Sequence, residues 1–314
     1  MTLSLIIPVY KNEGSLPELL EQLEGLSRSL PVPLETVFVV DGSPDGSFAY
    51  LRANLPKASF DAQLHLHSRN FGSFAAIRTG LAAGRGEFLA VIAADLQEPP
   101  SLIENFHAAL AKGEHDIAVG RRESREDSFL STLASDTFWS LYRRLVMPAV
   151  PKGGVDLFAC TRTCRDQLLK LSESNSSLVG LLFWIGFRRV EVPYARLKRR
   201  HGRSAWSLSK KIQYLLDSVY AFSDLPVKLL VAFGSVATLF AMVLAVLVVT
   251  ARLLGQIPVA GYTVVVLLVM FFGGLNLLSL GIVGGYVWRT FENSKSRPIA
   301  IVMSSERFLR EGTS

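Results

Sequence analysis

The stretch Glu35–Ser47, ETVFVVDGSPDGS, gives the strongest indication of the fold. Its first half is an apolar run of strand length, and the dense turn residues that follow stop this run at Asp41. Strand-like runs of the same kind occur on both sides of it, at Leu3–Val9, Gln63–His67, Phe88–Ala93 and Asp116–Val119. The sequence therefore predicts several strands in the first half of the chain.

Helical patterns separate these strands. One begins at Ser15 with Pro17 in its first turn, another covers Phe74–Ala83, and a third opens at Pro99. Strands that alternate with helices indicate a parallel, doubly wound α/β sheet, in which ligands bind at the carboxyl ends of the strands. We therefore expect the functional residues directly after the strands, in Tyr10–Glu13, Asp41–Asp45, Ser68–Gly72, Asp95–Gln97 and Arg121–Arg125.

The composition excludes several classes of protein. The chain has 314 residues, a net charge of +6, 49% hydrophobic residues and a mean hydropathy of +0.31, which do not fit a disordered or fibrous chain. The two cysteines, Cys160 and Cys164, are too few for a disulfide scaffold, and we expect buried thiols. Neither a dinucleotide-binding glycine motif after the first strand nor a P-loop motif occurs in the sequence.

Two long uncharged segments near the C-terminus predict membrane-spanning helices, at about 229–251 and 263–288. The charges beside them predict the orientation. Seven basic residues flank the outer ends, whereas the connecting loop has only Arg252 at its edge; the seven are Lys210, Lys211, Lys228, Arg289, Lys295, Arg297 and Arg307. We therefore expect both termini and the N-terminal domain in the cytoplasm, with the protein in the inner membrane.

Two further segments have amphipathic helical patterns, 128–150 and 204–224. Either segment could lie in the membrane interface or pack on the domain as an ordinary amphipathic helix. For 204–224 we favour the interface, because this segment leads directly into a span. The resulting domain prediction is a catalytic domain at 1–200, a juxtamembrane helix at 204–224, a two-helix membrane region at 225–290 and a cytoplasmic tail at 291–314.

The stretch Ala94–Pro100, ADLQEPP, is the most informative for chemistry. A carboxylate after a central strand, with an amide oxygen two residues later, suits a hard divalent cation that bridges a diphosphate. The alternative is that Asp95 only caps the helix that begins at Pro99. We favour the cation, because four further residues are predicted to meet at the same sheet edge: Asp41, Arg69, Asn70 and Arg122.

Taken together, these motifs resemble family 2 glycosyltransferases, which have the GT-A fold. The resemblance rests on Ile7–Tyr10 (IPVY), Val39–Ser47 (VVDGSPDGS), Ser68–Gly72 (SRNFG), Ala94–Pro100, Gly120–Arg122 with Arg125, and Asp156–Phe158 (DLF). With Gly202–Ser204 ahead of two spans, the chain is similar to polyprenyl-phosphate glycosyltransferases. This group includes bactoprenol glucosyltransferases and dolichol-phosphate mannose synthases. The resemblance also implies a homo-oligomer.

The resemblance implies a role for each matching residue. Nucleotide-sugar binding falls to Pro8, Tyr10, Glu13, Asp41, Asn70, Asp95 and Gln97. Asp95 and Gln97 would hold Mg²⁺ or Mn²⁺. The acceptor phosphate would be bound by Arg122, Arg125, Arg199, Arg203 and Ser204. Asp95, Arg122 and Asp156 would take part in catalysis, and our hypothesis is that Asp156 positions the acceptor or the metal shell more than it removes a proton.

Two departures from the family pattern bear on this site. Ala93 stands where the family usually has the first acid of Asp-x-Asp, and Val40 stands where it usually has the first of two aspartates. Metal binding is therefore expected to use fewer protein ligands, and base recognition to be altered.

The function expected from the resemblance is inverting transfer of a hexose from a nucleotide sugar to undecaprenyl or another polyprenyl phosphate. UDP-glucose is the favoured donor by analogy. The alternatives are a GDP-mannose-dependent mannose synthase, or a membrane protein that translocates lipid-linked sugars or lacks activity. Nucleic acid is not an expected partner, because the positive charge gathers beside the membrane spans.

Overall fold

The computed structural model describes residues 1–122, 137, 139–144, 146–151, 155, 157–173, 176–197, 208–254 and 261–310. Its strands are β1 Leu3–Val9, β2 Leu34–Val40, β3 Asp61–His67, β4 Phe88–Val91, β5 Ile117–Arg122, β6 Phe158–Thr161, β7 Arg189–Tyr194 and β8 Val302–Phe308. Its α-helices with described bounds are α1 Leu16–Ser29, α2 Ser47–Asn54, α3 Ser73–Ala83, α4 Ser101–Ala111, α5 Arg162–Lys170, α6 Leu178–Trp184, α7 Leu208–Phe222, α8 Leu225–Leu253 and α9 Tyr262–Ser294.

The strands form one mostly parallel sheet, in the order β7-β5-β6-β4-β1-β2-β3-β8. Within the described sheet, β6 and β8 run opposite to the other six strands. The predicted α/β fold is therefore confirmed. Because the six strands share a direction, their carboxyl ends lie along one edge of the sheet.

The sheet is covered on both faces, so its central strands are buried along almost their whole length and are apolar at most positions. Alternate residues of β1 enter different cores: Leu5 and Ile7 pack in the core that contains residues of α1 and α4, and Ile6 packs in the core that contains residues of α3 and α5. Leu16, Leu19 and Leu23 of α1 are buried in the first of these cores. This two-sided burial holds the carboxyl ends of the strands in fixed positions.

The structure distinguishes the two interpretations of the amphipathic segments for the residues it describes. In 128–150, Tyr142, Val146 and Val150 are buried in the core, so this part packs on the domain. Helix α7 does both. Its Ser218 and Val219 are buried against the domain, whereas Ile212 and Leu216 are half exposed on another face.

Helices α8 and α9 are long and apolar enough to cross a membrane, and large apolar side chains are exposed along both. The C-terminal end of α9 contacts α7. Arg289 of α9 forms an ion pair with Asp217 and lies over the ring of Tyr220, which also packs against Tyr286. The end of α9 is thereby fixed to the juxtamembrane helix.

The segment 291–314 differs from the predicted tail over its described part. Helix α9 continues to Ser294, and β8 then adds an antiparallel strand to the free edge of β3. Side-chain contacts reinforce the pairing: the hydroxyl of Ser305 and Nδ1 of His65 form a hydrogen bond, and Arg52 forms a salt bridge with Glu306. No residue of β8 is fully buried, although Phe308 at its end is partly buried against the core, so pairing with the edge of β3 is the main contact that holds this strand.

Candidate active site

Asp41 lies at the end of β2 and organises the loop after β3. Its carboxylate accepts hydrogen bonds from the backbone N–H groups of Phe71 and Gly72, each at 2.8 Å, and it hydrogen-bonds Nδ1 of His67 at 2.8 Å. Gly42 has φ +58°, and a Cβ there would lie 2.3 Å from the carbonyl carbon of Arg69, so the two loops touch at a position that needs glycine.

This arrangement gives Asp41 a supporting role in the structure. The residue is only 2% exposed, and both of its carboxylate oxygens are engaged by the loop. It therefore holds the loop after β3 in place, and the nucleotide contact that the resemblance implies for it stays a prediction. Asn70, on the loop that Asp41 holds, is exposed at the sheet edge.

The loop after β1 is joined to the loop after β2. The carboxylate of Glu13 accepts from the N–H of Gly46 at 2.8 Å, and the N–H of Lys11 donates to Ser43 at 2.8 Å. Glu13 therefore holds the start of α2. Pro8 is partly buried in β1, whereas Tyr10 is exposed at the opening between the loops.

The loop Ala94–Glu98 follows β4 at the centre of the same edge. The buried hydroxyl of Ser15 donates to the carbonyl of Ala94 at 2.6 Å, and the N–H of Gln97 donates to Asp95 at 3.3 Å. Leu96 has φ +61°, a conformation that costs energy for a branched side chain and often marks functional sites. The loop thus holds Asp95 and Gln97 next to each other in a strained turn.

The residues after β7 cross this loop. Nη2 of Arg196 donates to Oε1 of Gln97 at 2.6 Å, and the backbone N–H of Leu197 donates to the carbonyl of Gln97 at 2.8 Å. On the neighbouring strand β5, Arg122 is in register with Tyr194 and hydrogen-bonds its hydroxyl. Strands β5 and β7 thus bring two arginines to the acidic loop.

Glu98 lies between these charges. Burial, and then the negative charge of Asp95, raise the pKa of its carboxyl to about 7, against the lowering effect of Arg196 and Arg122. Its Oε2 atom is enclosed and has no hydrogen-bond partner among the described residues. Glu98 is therefore within electrostatic reach of Asp95 and both arginines, which places the four charged groups in one cluster.

The raised pKa predicts how stability depends on pH. The unfolded chain loses the Glu98 proton near pH 4.5, but the folded protein keeps it to about pH 7, so this group stabilises the fold less as pH rises between these values. Glu98→Gln should therefore stabilise the protein at pH 8 by about 3 kcal/mol and change little at pH 4.5. Thermal unfolding at both pH values measures this, with exposed Glu87→Gln as the control. Equal stabilisation at both pH values would contradict the assignment.

Other predicted site residues lie outside the described part of the chain: Arg125, Asp156, Arg199, Arg203 and Ser204. Sequence reasoning missed Glu98, Tyr194 and Arg196. The alternating pattern of RVEVPY at Arg189–Tyr194 indicates a strand, and recognising it would have put Tyr194 and Arg196 at the same edge as Asp95.

A mostly parallel α/β sheet that carries charged and amide side chains at the carboxyl ends of its strands has the arrangement in which α/β enzymes bind their ligands. The chain belongs to glycosyl transferase family 2, whose family model matches residues 4–171. The enzyme is therefore a glycosyltransferase, and its sheet is that of the GT-A fold.

Relatives match almost the whole chain. A putative glycosyltransferase, CsbB of Bacillus subtilis, is 33% identical over 94% of this chain and 89% of its own. A bactoprenol glucosyl transferase derived from an SfII prophage of Shigella flexneri is 28% identical over 98% and 99%. An undecaprenyl-phosphate 4-deoxy-4-formamido-L-arabinose transferase of Proteus mirabilis is 30% identical over 94% and 91%. The similarity thus includes the apolar helices as well as the catalytic domain.

Proposed function

We propose that this glycosyltransferase transfers a hexose from a nucleotide sugar to undecaprenyl or another polyprenyl phosphate, with inversion and with UDP-glucose as the donor. The observation that carries the proposal is the convergence of Asp95, Gln97, Arg122 and Arg196 on one sheet edge. The names of the Shigella and Proteus relatives support a lipid phosphate as acceptor.

The donor side of the site consists of Asp95 and Gln97. They offer carboxylate and amide oxygens, the ligand type that hard divalent cations prefer, and such ions commonly take their other ligands from phosphates and water. The donor set therefore fits Mg²⁺ or Mn²⁺, although in the described residues no cluster of three or more acidic, His or Cys side chains is present. When bound, such an ion supplies positive charge to the departing nucleoside diphosphate.

The acceptor side requires cations more than a base. A phosphate monoester has a second pKa near 6, so the acceptor oxygen is already anionic at neutral pH. The main obstacle is repulsion between the acceptor phosphate and the donor diphosphate. Arg122 lies beside Glu98 and Tyr194 and is the described arginine that we assign to reducing this repulsion. Arg125, Arg199, Arg203 and Ser204 complete the proposed phosphate site, with Asp156 orienting the acceptor.

The path of the chain supports a cytoplasmic site beside the membrane. After the two apolar helices the chain returns and pairs β8 with β3, and a strand lies on the same side of a membrane as its partner. If α8 and α9 both cross, the catalytic domain and β8 share one side, and the excess of Lys and Arg there favours the cytoplasm.

A homo-oligomer is also part of the proposal. Light scattering of the solubilised protein measures its oligomeric state.

The proposal predicts the outcome of a donor screen. Purified protein in lipid nanodiscs receives Mn²⁺, undecaprenyl phosphate and one radiolabelled nucleotide sugar at a time. UDP-glucose should transfer its label to the organic phase, and undecaprenol, which lacks the phosphate, should accept none. Label transferred from GDP-mannose alone would instead establish the mannose synthase. If every nucleotide sugar gave no transfer and no donor hydrolysis, that result would contradict an enzymatic role.

A further inference from the structure

The amide of Gln97 is held at both ends by the segment that follows β7. Oε1 accepts from Nη2 of Arg196 at 2.6 Å, and Nε2 donates to the carbonyl of Leu197 at 3.3 Å. The backbone bond from the N–H of Leu197 to the carbonyl of Gln97, at 2.8 Å, joins the two segments independently of side chains. We call these contacts of Gln97 with Arg196 and Leu197 the Gln97 clasp. Gln97 is 8% exposed, so the clasp is largely closed to water.

The chemistry of the two partners fixes which way the amide points. A guanidinium can only donate hydrogen bonds, and a backbone carbonyl can only accept them. A flipped amide would present its NH₂ group to Arg196 and its oxygen to the carbonyl of Leu197, so both contacts would become repulsive. A hard cation binds the amide oxygen and not the NH₂ group, and the carbonyl oxygen has a second lone pair beyond the one that Arg196 uses.

We propose that Arg196 is a positioning residue that orients the Gln97 amide so that its oxygen faces the metal–diphosphate of the donor. The inference rests on the proposed function, because it concerns the same donor site. Arg196 also lies three residues before Arg199, the first of the predicted acceptor-phosphate residues after β7. The clasp therefore joins the donor loop to the segment that leads to the acceptor site.

Binding of Mn²⁺, measured by electron paramagnetic resonance with UDP or GDP present, tests this role without relying on turnover. Arg196→Gln should weaken Mn²⁺ binding in the nucleotide complex about tenfold, because a glutamine can both donate and accept and no longer selects one orientation. Arg196→Lys should bind within about threefold of the wild type, since an ammonium also only donates. Arg188→Gln is the matched control: Arg188 precedes the other end of β7, pairs with Asp116, and should bind like the wild type.

A double-mutant cycle tests whether Arg196 acts through Gln97. Gln97→Ala should weaken Mn²⁺ binding, and adding Arg196→Gln to it should cause little further loss. Three results would each overturn the inference and leave the proposed function standing. The losses of the two variants could be fully additive, Arg196→Gln could bind Mn²⁺ like the wild type, or Arg196→Lys could bind as weakly as Arg196→Gln. If the wild-type protein binds no Mn²⁺ in the presence of either nucleotide, the proposed donor site fails, and the inference fails with it.

Discussion

Asp95→Asn should lower kcat/KM for sugar transfer by about 10²- to 10³-fold, the range found when a charge-stabilising group is removed from an active site. The substitution keeps the shape of the side chain but removes the negative charge. That charge lies beside Gln97 on the strained loop after β4, where the donor diphosphate and its cation are proposed to bind. Initial rates of label transfer from the donor to undecaprenyl phosphate measure the effect.

Asp116→Asn provides the matched control for this prediction. Asp116 precedes β5 at the opposite edge of the sheet and pairs with the exposed Arg188, so its loss should leave kcat/KM within about twofold. Unfolding temperatures of both variants show whether either has lost its fold. A folded Asp95→Asn enzyme with wild-type kcat/KM would remove Asp95 from the donor site.

Asp41→Asn should destabilise the catalytic domain by about 3 kcal/mol, because an amide has one acceptor oxygen where the carboxylate serves three donors. The donors are the N–H groups of Phe71 and Gly72 and the ring of His67, in a site that is almost fully buried. The NH₂ group of the new Asn would face an N–H donor at close range. Denaturant unfolding of the solubilised protein measures the loss.

The same substitution separates support from direct binding. Asp166→Asn is the control, since Asp166 is half exposed, pairs with its neighbour Arg165, and should cost less than about 1 kcal/mol. If Asp41 instead bound the nucleotide directly, the variant would keep its stability and lose only donor affinity. That result would favour direct nucleotide binding, the role implied by the family resemblance.

The sequence is most informative where strands are buried on both faces. The predicted strand Leu3–Val9 has the bounds of β1, and Glu35–Val40 differs from β2 by one residue, because the runs of apolar residues end at turns. Since parallel strands end at one edge, the sequence alone assigns the loops that carry Asp41, Asn70, Asp95 and Arg122 to a common edge. This assignment follows from topology and requires no knowledge of side-chain contacts.

The sequence is less informative where a residue's role depends on its partner. Nothing local distinguishes Asp41, which is engaged by the loop after β3, from Asp95, which lies in the loop after β4. Strand β8 has no fully buried residue, and pairing with the edge of β3 is its main contact. Arg196 belongs to a basic run in the sequence, although β7 carries it to Gln97. The contacts of β8 and Arg196 join segments about 100 or more residues apart, which local patterns do not reveal.

The most direct test of the central claim is an experimental structure of the protein with Mn²⁺, UDP and a short-chain polyprenyl phosphate. We expect the diphosphate of the nucleotide over Asp95 and Gln97, and the lipid phosphate within hydrogen-bond distance of Arg122. The prenyl chain should run toward α7 and the apolar helices. A nucleotide bound at another edge of the sheet, or a lipid phosphate remote from Arg122, would contradict the account.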